Sequence, residues 1–211
     1  MKNKLLIALI AISFSPLAVI SQIDITPTYG YNFGAKNSGY YSEIKMKGNS
    51  TYGINLEYKL DDYTGIQFLY TYTKSTITIR DYSGPGFSQN FSNVTENYYL
   101  IGATRYFGEG KIEPYGAFNA GAAYYSFTDI DKTYSTVNVD ALRFAIGFGL
   151  GAKLMFSEKI GLDVHIRALA PVTWGGIGVG VGTGGVSTGA YVGSSFISGD
   201  VGGGIVIRLG E

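Results

Sequence analysis

From Leu142 to Phe156 the chain alternates without a break. One parity carries Leu142, Phe144, Ile146, Phe148, Leu150, Ala152, Leu154 and Phe156, the other Arg143, Ala145, Gly147, Gly149, Gly151, Lys153 and Met155. After Ser157-Glu158-Lys159 the pattern resumes, with Ile160, Leu162, Val164, Ile166, Ala168 and Ala170 set against Gly161, Asp163, His165, Arg167 and Leu169. A two-residue period is that of a strand with unlike faces. A soluble sandwich also alternates, so the composition of each face decides. Every charge inside these two strands falls on one parity, whose other members are mainly glycine and alanine. The opposite parity is wholly apolar, as hydrocarbon demands, because a charge on a lipid-facing strand position costs roughly 2–4 kcal/mol at the midplane. The stretch reads as a transmembrane β-hairpin. A secreted soluble carrier would instead turn the apolar parity inward.

Sixteen basic and sixteen acidic residues balance, so no sequence-independent attraction to nucleic acid follows. The absence of cysteine excludes disulfides, thiolate catalysis and cysteine metal sites. Residues 1–21 read as a secretory signal peptide, with Lys2 and Lys4 before an apolar segment broken by Pro16, and cleavage near Ser21/Gln22. No other run approaches the ~18 apolar residues of a spanning helix. The remaining way to satisfy every backbone group in lipid is a closed barrel.

Other segments alternate similarly. Ile23 to Phe33 opposes Asp24 to Asn32, with Pro27 as an objection that a bulge or a locally broken closing seam would meet. Tyr52, Ile54, Leu56, Tyr58 and Leu60 oppose Gly53, Asn55, Glu57 and Lys59; Ile66 to Tyr72 oppose Gln67 to Thr73. Tyr98, Leu100, Gly102, Thr104 and Tyr106 are assigned to lipid, with Ile101, Ala103 and Arg105 on the lumen side. Phe118 to Tyr124 are assigned outward against Tyr115 to Gly121, and Val201 to Leu209 outward against Gly202 to Arg208. Segments 34–50, 80–92, 127–138 and the glycine-dense 174–189 read as long loops, and 61–63, 108–112 and 157–159 as short turns. Across the short turns Lys153 should face Asp163, Glu57 should face Gln67, and Arg105 should face Tyr115. The reading is an all-β, eight-stranded antiparallel up-and-down transmembrane β-barrel over residues 22–211, with short periplasmic turns and long outer loops.

The run Tyr98 to Phe107, followed by Glu113-Pro114-Tyr115-Gly116-Ala117-Phe118-Asn119-Ala120-Gly121, resembles the small outer-membrane β-barrel superfamily of OmpX, OmpW and the OmpA membrane domain. The resemblance covers essentially the whole mature chain and implies the outer membrane of a Gram-negative bacterium, with outer-membrane lipid and the barrel-assembly machinery as partners. Its motif is structural and specifies no activity. Members often end in an aromatic residue read by that machinery, whereas this chain ends Leu209-Gly210-Glu211.

Candidate chemistry is sparse. His165 lies two residues from Asp163 on the lumen parity, which suits a proton-transfer dyad. It suits better a lumen polar network of Glu57, Arg105, Arg143, Lys153, Asp163, His165, Arg167 and Arg208. A single histidine without cysteine argues against a transition-metal site, and no cofactor is implied. Tyr52, Tyr72, Tyr98, Tyr106, Tyr124 and Phe156 are assigned to interfacial girdles. Eight strands give a bore that side chains can fill, so the expectation is a non-enzymatic barrel with a structural or surface-exposed role. A glycine-rich lumen leaves a narrow channel for small or hydrophobic solutes as the alternative. Adhesion to an unidentified extracellular ligand through loop tyrosines such as Tyr40, Tyr41, Tyr82 and Tyr134 is a third reading.

Overall fold

The computed structural model describes residues 22–38, 42–81, 87–108, 110–128, 139–172, 176–182, 185–191 and 197–210. The signal-peptide segment, the loop tyrosines Tyr40, Tyr41, Tyr82 and Tyr134, and Trp174 lie outside them. The strands are β1 (Gln22–Asn32), β2 (Ala35–Ser38), β3 (Ser42–Met46), β4 (Asn49–Lys59), β5 (Thr64–Asp81), β6 (Phe87–Tyr106), β7 (Ile112–Thr128), β8 (Val139–Met155), β9 (Ile160–Val172), β10 (Gly176–Gly182), β11 (Gly185–Tyr191) and β12 (Ser198–Leu209). Eight close a ring in the order β1-β4-β5-β6-β7-β8-β9-β12, every neighbour antiparallel and β12 returning to β1.

The alternation of the opening hairpin becomes an inside and an outside. Phe148 is 55% exposed and Leu150 63%, whereas Ala145, Lys153, Asp163 and His165 are buried. The apolar parity therefore faces outward, against the soluble-carrier reading. The expected registers Lys153↔Asp163 and Glu57↔Gln67 are both present. Pro27 sits in the closing seam: β1 and β12 pair from Ile23↔Leu209 to Ile25↔Ile207 and resume at Thr28↔Gly204 without a shift, while the β4 side continues through Pro27↔Ile54. The Pro27 carbonyl oxygen points at β12, as shown by its approach to Gly204. Within a strand a residue's N–H and C=O point the same way, so the proline's missing donor falls on that seam.

Strand β6 corrects one face assignment. Tyr98, Leu100, Thr104 and Tyr106 are buried in the lumen, while Tyr99 and Ile101 face out. The β6–β7 register is Tyr106↔Tyr115, with Arg105 opposite Gly116, and a one-residue slip exchanges faces. Arg105 misled because it stands at the strand's end. There its guanidinium is exposed, donating to Thr64 Oγ1 at 2.9 Å and lying over the Tyr63 ring.

Segments expected as loops carry further strand. β5 and β6 continue together beyond Tyr72 and Asn97, their register shifting once between Ile77 and Thr78. β2 and β3 form a hairpin whose β3 pairs with the outer part of β5. The glycine-dense segment forms the separate β10–β11 hairpin. Once a strand leaves lipid either face can be polar, so alternation stops reporting it. β-branched content such as Thr76-Ile77-Thr78-Ile79 still favours extended backbone.

Candidate functional site in the barrel lumen

Nearest the short turns, six buried ions meet in the bore: Asp24 from β1, Glu57 and Lys59 from β4, Glu113 from β7, Lys153 from β8 and Arg208 from β12. Each lies on the inward parity of its strand, so closing the ring drives all six together. Arg208 forks between two carboxylates, with Nε and Nη2 donating to Asp24 at 2.8 and 3.0 Å, and Nη1 and Nη2 to Glu113 at 3.0 and 2.8 Å. Lys59 Nζ donates to Glu113 at 2.9 Å. Lys153 Nζ donates to Asp24 at 2.7 Å and lies 3.2 Å from Glu57. The Tyr106 hydroxyl donates to Glu57 at 2.5 Å, and both lysines lie over its ring. Three carboxylates and three cations leave the cluster neutral. Such neutrality and dense hydrogen bonding are what a dry site requires of buried charge.

Above it, the Tyr115 hydroxyl donates to Asp163 Oδ1 at 2.8 Å, and His165 Nδ1 meets Asp163 Oδ2 at 2.5 Å. His165 Nε2 stands 3.8 Å from Asp200 Oδ1, which accepts from Arg167 Nε at 2.9 Å. Gln67 bridges Asn55, Thr104 and Asn119. The next level is apolar, with Leu69, Tyr98, Leu100, Ala123, Ala145 and Leu169 in one cluster. Glycines opposite this filling are recesses rather than free space. A Cβ at Gly147 would stand 2.9 Å from Leu169 Cδ2 and 3.1 Å from Leu100 Cδ1, and one at Gly151 would stand 2.6 Å from the Tyr115 ring. Toward the outer end, Tyr98 and Tyr125 share a 2.6 Å hydroxyl contact, and both oxygens of buried Glu96 lack a hydrogen-bond partner among the described residues.

The structure thus brings Glu57, Lys153 and Arg208 into one cluster, and Asp163, His165 and Arg167 into the level above. Arg143 lies higher on β8, opposite Ala123 on β7. Arg105 is not a lumen residue. Tyr98 and Tyr106 are lumen fillers, not girdle aromatics, for the register reason given above. Tyr52 and Phe156 are exposed on the outer surface. Tyr72 pairs with Tyr52, and Tyr124 lies on the outward parity of β7. Lys153 faces Asp163 in register yet bonds elsewhere, because its long side chain reaches across the bore. Asp24, Lys59, Glu113 and Asp200 were missing from the expected network. All four fall on the inward parity of their strands, Glu113 with Tyr115 and Asp200 with Gly202 and Arg208.

The Asp163–His165 contact lies beneath the apolar layer with a tyrosine hydroxyl as its further partner. This arrangement orients an imidazole and supplies no serine or cysteine nucleophile beside it among the described residues. Nor do those residues group three metal-ligating side chains.

Residues 5–170, more than half of the chain, match the family model described as the outer membrane protein beta-barrel domain. No curated protein sequence matches the chain. Among solved structures, the fold is similar to OprG from Pseudomonas aeruginosa, with TM-score 0.59 and 12% identity over 91% of this chain and 97% of that one. It is similar to neisserial surface protein A, with TM-score 0.54 and 12% identity over 89% and 97% of the two chains. It is also similar to Ail, the attachment invasion locus protein of Yersinia pestis, in complex with the heparin analogue sucrose octasulfate. There the TM-score is 0.51 at 14% identity over 90% and 100%. At such identities the likeness is one of fold.

Proposed function

Since the chain belongs to the outer membrane protein beta-barrel domain family, we propose that it is a non-conducting, non-enzymatic barrel of the Gram-negative outer membrane, displaying a raised rim at the cell surface. The observation that carries this is the filled bore. A neutral six-ion cluster spans five strands, and a layer of leucine, tyrosine and alanine lies above it. An ion entering would have to break hydrogen-bonded pairs and then cross an apolar layer, each step costing several kcal/mol. The test is conductance in planar bilayers, with silence expected from the wild type. Steady single-channel currents would move the reading to the narrow channel.

The rim supports a second element, contact with extracellular material. β5 and β6 run 18 and 20 residues, against the roughly 9–11 that a tilted strand needs to span. Their excess stands as polar wall outside the lipid. Ail, similar in fold, is by name an attachment protein, which favours looking for adhesion here. Cells displaying the barrel with segments 82–86 and 129–138 shortened should then lose adherence while the barrel still folds. In this proposal insertion depends on the barrel-assembly machinery.

A further inference from the structure

At the outer end of the bore one carboxylate stands apart from both polar levels. Glu96 lies on the inward parity of β6, 1% exposed, in register with Thr73 of β5 on one side and Tyr125 of β7 on the other. Among the described residues neither of its oxygens accepts a hydrogen bond and no cation pairs with it. The donors around it are spent elsewhere. Thr73 Oγ1 donates to Thr51 Oγ1 at 3.0 Å, and Ser75, one inward step higher on β5, donates to the Lys47 carbonyl oxygen at 2.7 Å. The Tyr98 and Tyr125 hydroxyls meet each other. A buried carboxylate in this condition calls for a proton or for a cationic partner.

The surroundings select among partners. The floor is the apolar cluster that includes Tyr98, Leu100 and Ala123, so a guest reaches Glu96 from the outer side. Above it on β6 stands Val94, 1% exposed and opposite Ser75, and higher still Met46 is buried opposite Ile77. One carboxylate under an apolar wall falls short of the roughly six to eight oxygens that Ca2+ takes. The described residues group no three metal-ligating side chains. The Tyr98 and Tyr125 rings, edge to face with centroids 6.1 Å apart, add the aromatic surface that attracts an organic cation.

We propose that Glu96 anchors a small primary alkylammonium ion at the outer end of the bore. The ammonium N–H groups donate to the two free Glu96 oxygens and to the tyrosine hydroxyl pair, while the methylenes lie against Val94. The site stands above the filled layers, so it does not depend on whether the bore conducts.

The test uses the full barrel folded in phosphatidylcholine vesicles, with n-butylammonium as the probe, n-butanol as its neutral counterpart and protein-free vesicles as the blank. Binding is read by isothermal titration calorimetry and, independently, by the urea midpoint, which a ligand of the folded state raises. Hydrogen bonds to a charged group carry about 10–100-fold in affinity. E96Q should therefore weaken n-butylammonium binding by about tenfold or more, and its urea midpoint should no longer respond to the amine. E158Q, at the short turn between β8 and β9, should bind like wild type, which separates the site from loose attraction to surface carboxylates. Heat-modifiable gel mobility verifies that each variant is folded. A wild type without saturable amine binding would overturn the proposal and leave Glu96 holding a proton. E96Q within about threefold of wild type would also overturn it, as would n-butanol binding as tightly as the amine. Ca2+ that binds at Glu96 and displaces the amine would assign the carboxylate to a metal ion instead.

Discussion

Replacing Lys153 by methionine isolates what the ion cluster does. The side chain is 1% exposed and holds Asp24 at 2.7 Å and Glu57 at 3.2 Å. Without it Asp24 keeps both contacts from Arg208, whereas Glu57 keeps only the hydroxyls of Tyr106 and Thr104. The cluster changes from neutral to one net negative charge, and that charge resides on Glu57. Stranding one member of a buried pair costs about 3–5 kcal/mol. Adding E57Q restores neutrality while preserving an acceptor for Tyr106. The double variant should recover about 2 kcal/mol or more of that loss, a coupling expected for groups in direct contact. The assay is urea unfolding of the folded barrel from vesicles, followed by far-UV circular dichroism and by heat-modifiable gel mobility. If K153M costs under about 1 kcal/mol, or if K153M/E57Q is no more stable than K153M, then Glu57 is solvated. The bore would then be wet at the level of its six-ion cluster. The same outcome would withdraw the physical ground for a silent barrel, because a hydrated cluster is a path for ions.

Three further outcomes follow from other sites. Glu96 is buried with neither carboxylate oxygen hydrogen-bonded among the described residues, so E96Q should stabilise the barrel by about 1 kcal/mol or more, read as a higher urea midpoint; a lower midpoint would mean that the carboxylate is paired in solution. A methyl group at Gly151 would stand 2.6 Å from Tyr115 Cζ and 2.7 Å from the Val164 carbonyl oxygen, so G151A should cost about 1–3 kcal/mol. G149A, whose Cβ meets ordinary contacts at 3.5 Å and beyond, is its near-neutral control in the same titration. P27V returns a donor to the β1–β12 seam and should add protection at residue 27 in amide hydrogen exchange, worth about 0.5–1.5 kcal/mol; an unprotected amide there would show that the seam is open for another reason.

Lipid tests each spanning residue separately, and that made much of the barrel readable from the chain alone. An outward side chain must be apolar whatever its neighbours are, so faces, strands and the tight hairpins at residues 61–63 and 157–159 follow from local alternation. The rule weakens where its cause is absent. Beyond the lipid the walls are polar on both faces, and strands such as β2, β3 and the outer part of β5 look like loops. In β6 both parities mix aromatic and small residues, and the terminal Arg105 pointed the wrong way. What Leu100 meets inside is the recess at Gly147 on β8, and Tyr98 and Tyr106 meet Tyr125 and Tyr115 on β7; that space belongs to the closed ring and to no single strand. The ion partners are equally non-local: Lys153 and Asp24 are 129 residues apart, Arg208 and Asp24 184. Sequence alone therefore determined which side chains enter the bore along most strands, because that depends on solvent. Only the closed tertiary structure decided which of them meet, because that depends on distances across a cavity that no strand possesses by itself.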